Sequence, residues 1–320
     1  MLRNFRNTLL CLLLLALLHA CSKNDATPSS QILMVGYRLI QGAAPASGVR
    51  VWKNGVPSTI SDTLNRKVVY SAALDGTTIY AAGANYTSKG PGAAYWKDGT
   101  LVMLDTTSVA STASCIFVES GNVHVGGYDA NGFARYWKNG IEVPIEGGQT
   151  PTSQILAIAV AGSDVYLAGS SGSTAAWWKN GTLNKITEAG AQVTSIAATA
   201  TDVYVGGQSG SPTPSGTYWK NGVKKQLGGR QVLAIAINGA DVYFSGYYMY
   251  GPTLDQTACY WKNDTFFSIG SEQFAQAIAV DGNDVHILCG RDYYRNGVTT
   301  PVGASDARHT DYLKSIFVIR

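Results

Sequence analysis

The stretch AAWWKNGTL, Ala175–Leu183, sets two tryptophans directly ahead of Lys-Asn-Gly. Asn-Gly between apolar runs is a strong hairpin signal. A type I′ turn needs φ > 0 at both central residues, and these two tolerate it best. The residues before the turn read as one strand and TLNKI as its partner. The same unit returns along the chain: VWKNG at Trp52, YWKDG at Trp96, YWKNG at Trp137 and Trp219, YWKND at Trp261, and YYRNG at Tyr294. Successive spacings are 44, 41, 41, 41, 42 and 33 residues. A fixed period near forty residues marks a repeat architecture.

Two further motifs travel with the first. One reads TTIYAAG ending at Gly83, GNVHVGG at Gly127, SDVYLAG at Gly169, TDVYVGG at Gly207 and ADVYFSG at Gly246. NDVHILCG at Gly290 is a longer variant, and SQILMVG at Gly36 a degenerate first copy. The other precedes it, as in ILAIAVAG at Gly162 and AQAIAVDG at Gly282. Each repeat therefore carries four short strands, a to d: AIAV, DVYLAG, AAWWK and TLNKI in the copy around Trp178. Strands this short must stack on their neighbours. A period of about 41 with four antiparallel strands is the pattern of a β-propeller blade. The first repeat begins at strand b, and the chain ends in LKSIFVIR, Leu313–Arg320, which aligns with strand a. The last strand is thus expected to complete blade one, giving an all-β fold of seven four-stranded blades over residues 31–320. That clasp protects strand edges otherwise left open.

The fold assigns roles to the repeated residues. Both faces of a blade press on neighbours, so Trp52, Trp96, Trp137, Trp178, Trp219 and Trp261 are expected between blades. Burial of each is worth about 2–3 kcal/mol. Antiparallel pairing of strands b and c brings Asp164 to Lys179, Asp202 to Lys220, Asp241 to Lys262 and Asp284 to Arg295. The competing reading is a basic ring for anions. Lys53, Lys97 and Lys138 have Gln31, Thr78 and Asn122 in the acid's place, so any spare charge lies there.

Residues 1–20 read as a signal peptide. Arg3 and Arg6 precede a ten-residue apolar run, Leu9–Leu18, too short to span a bilayer. LLHAC, Leu17–Cys21, resembles the lipobox of bacterial lipoproteins, with His19 an unusual choice in it. The resemblance implies a lipidated Cys21, and Ser22 resembles the residue found in lipoproteins sent to the outer membrane. Residues 21–30 then form a flexible tether. The repeats resemble seven-bladed β-propellers in general, and bacterial repeat lipoproteins built of DVYxAG…YWKNG units. They fit neither the Trp-Asp nor the kelch signature, so no function follows from those families.

Charged residues make up 14% of the chain, below the roughly 25% of an ordinary domain. Losing residues 1–20 removes Arg3 and Arg6 and no acid, taking the formal charge from +3 to +1. Nothing in that balance favours nucleic acid as a partner. Cys115, Cys259 and Cys289 lack metal-ligand spacing and read as buried thiols, with a Cys259–Cys289 disulfide the lesser alternative. No metal or cofactor motif is present, and a monomer is expected. His124 and His286 stand at the repeated Tyr position of strand b and read as core substitutions. No catalytic motif is found; Asp292 and Asp306 are the one carboxylate pair worth considering.

Function is expected in the loops that do not repeat, the b–c and d–a connections on one face. The richest is YYMY, with Tyr247, Tyr248 and Tyr250. Tyr86, Tyr128, Tyr37 and Phe133 are weaker members of the same set. Arg66, Arg230 and Arg291 are candidates for the mouth of the central channel. The expected function is a lipid-anchored binding or scaffold module of the cell envelope, presenting this face to a glycan or a protein. The alternatives are an enzyme acting on polysaccharide or peptidoglycan through acids at the channel mouth, and a structural assembly subunit.

Overall fold

The computed structural model describes residues 30–40, 46–61, 66–88, 90–105, 110–250, 255–270, 273–306 and 309–319, with residues 46, 47 and 250 described by backbone alone. The signal segment, Cys21 and the tether lie outside the described residues. Blade one holds β1 to β3 (Gln31–Ile40, Ala46–Lys53, Val56–Thr59). Blade two holds β4 to β7 (Lys67–Asp75, Thr78–Thr87, Gly90–Lys97, Thr100–Met103). Blade three holds β8 to β11 (Ser111–Glu119, Asn122–Asp129, Ala134–Lys138, Ile141–Glu142). Blade four holds β12 to β15 (Gln154–Ala161, Asp164–Ser171, Thr174–Lys179, Thr182–Ile186). Blade five holds β16 to β19 (Gln192–Ala198, Val203–Ser209, Ser215–Lys220, Val223–Gln226). Blade six holds β20 to β23 (Gln231–Asn238, Asp241–Tyr250, Asp255–Lys262, Thr265–Ser268). Blade seven holds β24 to β27 (Ala275–Asp281, Asp284–Cys289, Asp292–Arg295, Val298–Pro301), and β28 (His309–Ile319) follows.

Every sheet has four strands, and the sheet of blade one runs β28-β1-β2-β3. The C-terminal strand is therefore strand a of the first blade, as the repeat alignment requires. Strand a of each blade packs beside strand a of the next, and β28 closes the series between β24 and β4. The chain is a seven-bladed β-propeller.

The Asn-Gly turns do more than reverse the chain. Asn180 sits at φ +51° and Gly181 at +82°. Its Oδ1 accepts the Val165 N–H at 2.9 Å, while its own N–H donates to the Val165 carbonyl at 2.8 Å. The side-chain bond forms in the other six blades at 2.8–2.9 Å: Ile32 to Asn54, Ile79 to Asp98, Val123 to Asn139, Val203 to Asn221, Val242 to Asn263 and Val285 to Asn296. The turn after strand c thus pins the start of strand b. Blade six replaces the glycine with Asp264 at φ +70°. That carboxylate reaches blade five, accepting from Tyr218 Oη at 3.0 Å and pairing with Lys225.

The predicted ion pairs form, with one change of register. Lys179 lies opposite Tyr166, two residues past Asp164. Its ammonium passes 5.5 Å from the Tyr166 ring centroid and meets Asp164 Oδ2 at 2.7 Å. Lys220 and Lys262 repeat this over Tyr204 and Tyr243, and Arg295 meets Asp284. Lys97, whose strand has Thr78 instead of an acid, stays over Tyr80 at 5.6 Å. The Tyr of DVY is thus the platform for the Lys of WKNG. His124 and His286 take that Tyr position, are buried, and hold Tyr136 and Tyr293 hydroxyls at 2.7 Å through Nδ1.

The six tryptophans that directly precede the Lys of each repeat are at most 2% exposed. Each packs on the preceding blade: Trp178 with Tyr136, Trp219 with Ala175, Trp261 with Tyr218, and Trp52 with Leu288 of blade seven. The Trp178 indole N–H also donates to the Glu146 carbonyl at 2.8 Å. Cys115, Cys259 and Cys289 are buried free thiols. Burial pushes the Cys115 and Cys289 thiols up to about 12.

Ring closure carries one buried ion pair absent from the repeat pattern. Asp311 of β28, 1% exposed, accepts both Arg38 Nε at 2.7 Å and Nη2 at 2.8 Å from β1, and Arg50 of β2 lies 3.9 Å away. Burial pushes the Asp311 carboxyl up. The bonds from Arg38 and the Ala304 N–H, with the charges of Arg38 and Arg50, outweigh it and hold the carboxyl below the usual range. Its stabilisation is therefore complete above about pH 4 and is lost as pH falls through the folded-state value. Asp311→Asn leaves two guanidiniums without their counter-charge. We expect a loss of about 3 kcal/mol at pH 7, the low end for buried pairs because Arg38 is part-exposed. Thermal unfolding from pH 7 to pH 3 should show a flatter acid limb for the variant than for the parent.

Candidate functional site

Strand a carries the feature that shapes the channel. Its pairing with strand b slips by one residue in blades two to seven, leaving Tyr70, Ser114, Leu156, Thr194, Leu233 and Gln276 out of the ladder. Beside each slip, in blades two to six, stands the glycine of the DVYxAG motif. A Cβ on Gly169 would lie 1.9 Å from the Gln154 carbonyl oxygen, and the distances at Gly83, Gly127, Gly207 and Gly246 are 1.8–2.0 Å. These glycines are required by contact, since none lies at positive φ. In blade one a Cβ on Gly36 would lie 1.9 Å from the Tyr312 carbonyl oxygen, which puts Lys314 at the corresponding place. Blade seven differs. The register sets Cys289, where the repeat alignment set Gly290, opposite Ala275 at the end of a shortened strand.

The slipped residues and the two after each line a central cavity of about 300 Å³, with contributions from all seven blades. That volume is at the lower end for small-molecule sites. On the b–c and d–a side three hollows adjoin it, and one, of about 550 Å³, shares Leu156 and Thr194 and lies between blades four and five. A second, of about 340 Å³, shares Tyr70, Ser114, Leu156 and Thr194 and adds Tyr128. The third, of about 360 Å³, shares Gln276 and Lys314 and adds Arg291 and Tyr312.

Around this mouth the structure gathers tyrosines from three consecutive blades. Tyr37 and Tyr312 of blade one stack with centroids 4.9 Å apart and planes 10° from parallel. Tyr37 is also near Tyr70 and Tyr86 of blade two, and Tyr70 is near Tyr128 of blade three. Burial first, and then these neighbouring phenols, push the Tyr37 hydroxyl up to about 12. Arg66 lies over the Tyr86 ring at 4.7 Å. Tyr70 and Tyr312 are about 40% exposed, while Tyr37, Tyr86 and Tyr128 are half-buried. The sequence picked out Tyr37, Tyr86, Tyr128 and Arg66. It missed Tyr70 and Tyr312, which belong to strand a. Tyr70 stands in the variable column that also holds Ser114, Leu156, Thr194, Leu233, Gln276 and Lys314, and Tyr312 stands two residues earlier in blade one.

Of the other candidates, Arg291 lines the hollow at the mouth and the rest lie elsewhere. Tyr247, Tyr248 and Tyr250 belong to strand β21 and not to a loop, since pairing continues to Tyr250 opposite Asp255. The Tyr247 ring meets Phe274 edge-on at 4.6 Å, and Tyr248 meets Phe266 at 5.3 Å. Arg230 is half-buried and its Nη1 donates to the Pro214 carbonyl at 3.5 Å. Arg291 is exposed beside Lys314. Phe133 closes the Asp129 turn by backbone bonds. Asp292 and Asp306 are not on the cavity wall, and Asp306 turns onto His309 at 3.1 Å. Among the described residues no group of three or more His, Cys, Asp or Glu is arranged to hold a metal.

No family model matches the sequence, and no curated protein does. Among solved structures, the computationally designed Ika8 protein is 17% identical with a TM-score of 0.49, over 87% of this chain and 83% of that one. The WD40 β-propeller domain of Doa1 is 12% identical with a TM-score of 0.49, over 80% and 93%. The propeller assignment rests on the strand order of the chain itself.

Proposed function

We propose that this propeller is a binding module, and that its ligand is a glycan held at the channel mouth on the b–c and d–a face. The observation that carries the reading is the tyrosine crescent of blades one to three. Tyrosine offers a flat apolar ring with a polar tip, which suits the CH faces and hydroxyls of a sugar. The rings stand on or beside paired strands, so little side-chain freedom is lost on binding. The cavity lining supplies hydroxyls, an amide, aliphatic groups and one amine, a set fitted to holding a ligand in place. Tyr247 and Tyr248, packed on Phe274 and Phe266, serve the blade edge on this reading.

The anchor belongs to the same proposal. LLHAC and the run before it support a chain lipidated at Cys21 and held at the outer membrane as a monomer, with the propeller carried on a short tether. An alkyne-tagged fatty acid fed to bacterial cells should label the chain, and Cys21→Ser should abolish the label. Retained label on Cys21→Ser removes the anchor from the account.

The assembly alternative has one observation of its own. Val56, Ile141, Val223 and Val298 open the d strands of blades one, three, five and seven at 65–72% exposure. Single exposed aliphatics on a rim are ordinary, however, and do not form one patch.

The test is a panel of immobilised oligosaccharides probed with the parent chain, with Tyr86→Ala/Tyr128→Ala, and with Tyr247→Ala/Tyr248→Ala. Loss of two stacking rings should lower affinity at least tenfold, about 1.4 kcal/mol. The blade-six pair should stay within about twofold of the parent, well under 1 kcal/mol. A crescent variant that binds like the parent, or a parent that binds no glycan on the panel, overturns the reading.

A further inference from the structure

The side chains turned into the channel change character around the ring. Leu156 and Leu233 are apolar. Thr194 Oγ1 donates to the Val232 carbonyl at 2.6 Å, and Gln276 Nε2 donates to the Leu313 carbonyl at 2.8 Å. Those groups are spoken for within the fold. On blades one, two and three the corresponding residues are Lys314, Tyr70 and Ser114. None of the three side chains makes a hydrogen bond or ion pair with another described residue. All three line the central cavity.

Lys314 is the only cation among the residues lining that cavity. It is half-buried, and burial alone pulls its ammonium below the usual lysine range. Asp311 shares the adjoining hollow but does not answer this charge. Its Oδ1 is taken by Arg38 Nε, and its Oδ2 by Arg38 Nη2 and the Ala304 N–H. A desolvated ammonium without a partner is costly, and an anion brought to it offsets that cost. Tyr70 and Ser114 stand elsewhere on the same cavity wall and add neutral donors to its lining.

We propose that Lys314, on the cavity wall, anchors a carboxylate subsite, so that the glycan bound at the mouth is an acidic sugar of the uronic-acid type. This rests on the glycan reading above. The tyrosine crescent takes the pyranose face, and the carboxylate enters the channel against Lys314. One ammonium balances a single negative charge, which matches a carboxylate better than a dianion.

The test uses uronic-acid oligosaccharides, their carboxyl-reduced neutral counterparts and sulfated neutral oligosaccharides, titrated into the full chain. Lys314→Met and Lys314→Arg are measured beside the parent, with thermal unfolding to verify that each is folded. The parent should bind a uronic-acid oligomer at least tenfold more tightly than its reduced counterpart. Lys314→Met should erase that preference, and Lys314→Arg should keep most of it. Should Lys314→Met not fold, Lys314→Gln takes its place with the same expected loss. Equal binding of acidic and neutral forms, a preference for sulfated sugars alone, or a preference that survives loss of the Lys314 charge overturns the subsite and leaves the glycan reading standing. A parent that binds none of the sugars overturns both.

Discussion

The contact on which this molecule depends is a strand-b α-carbon pressed against a strand-a carbonyl oxygen. In blades one to six a glycine stands there, with room for no Cβ beyond 2.0 Å of that oxygen. In blades two to six the approach coincides with the slip in strand a that expels one residue from the ladder. A bulge of this kind re-aims a side chain. Here it aims one from each of blades two to seven into the channel, and those side chains make most of the floor of the candidate site. The glycine of DVYxAG is thus tied to the composition of the binding surface, although it touches no ligand itself.

At the other end of the same strand pair the Asn-Gly turn fixes register. The Asn side chain holds the first N–H of strand b, and the Lys before it lies along the Tyr of strand b. With both ends of the b–c pair set, the strand-c tryptophan is delivered to the preceding blade each time. Neighbouring blades then share one apolar layer. The ring needs a separate device only where the two ends of the chain meet, and there the buried Arg38–Asp311–Arg50 group joins β28 to β1 and β2.

The features legible from the sequence were those that recur at fixed register. WKNG gave the hairpins, the tryptophans gave the blade junctions, and Asp164 with its equivalents gave the ion pairs. The Lys–Asp pairing survives a two-residue offset because the lysine stem is long enough to cross a tyrosine ring. Features that occur once were not legible. Arg38 and Asp311 are 273 residues apart and follow no period. Tyr70 sits where a bulge breaks the alternation of strand a, so side-chain parity gives no sign that it faces the channel. YYMY looked like a loop because no repeat partner matches it, yet blade six simply extends its b–c hairpin. The glycine column ends one residue early in blade seven, where the shortened hairpin sets Cys289 opposite Ala275 and leaves Gly290 for the turn.

The most direct measurement is the thermal unfolding of Gly169→Ala beside Gly162→Ala. Gly162 has open space around it and φ +62°, so alanine there meets only the backbone penalty of about 1–2 kcal/mol. Gly169 has no such penalty, but a Cβ there would lie 1.9 Å from the Gln154 carbonyl oxygen. The account predicts that Gly169→Ala is the more damaging, by about 3 kcal/mol or more, through forced separation of strands a and b. A Gly169→Ala chain as stable as Gly162→Ala, or more stable, would contradict it.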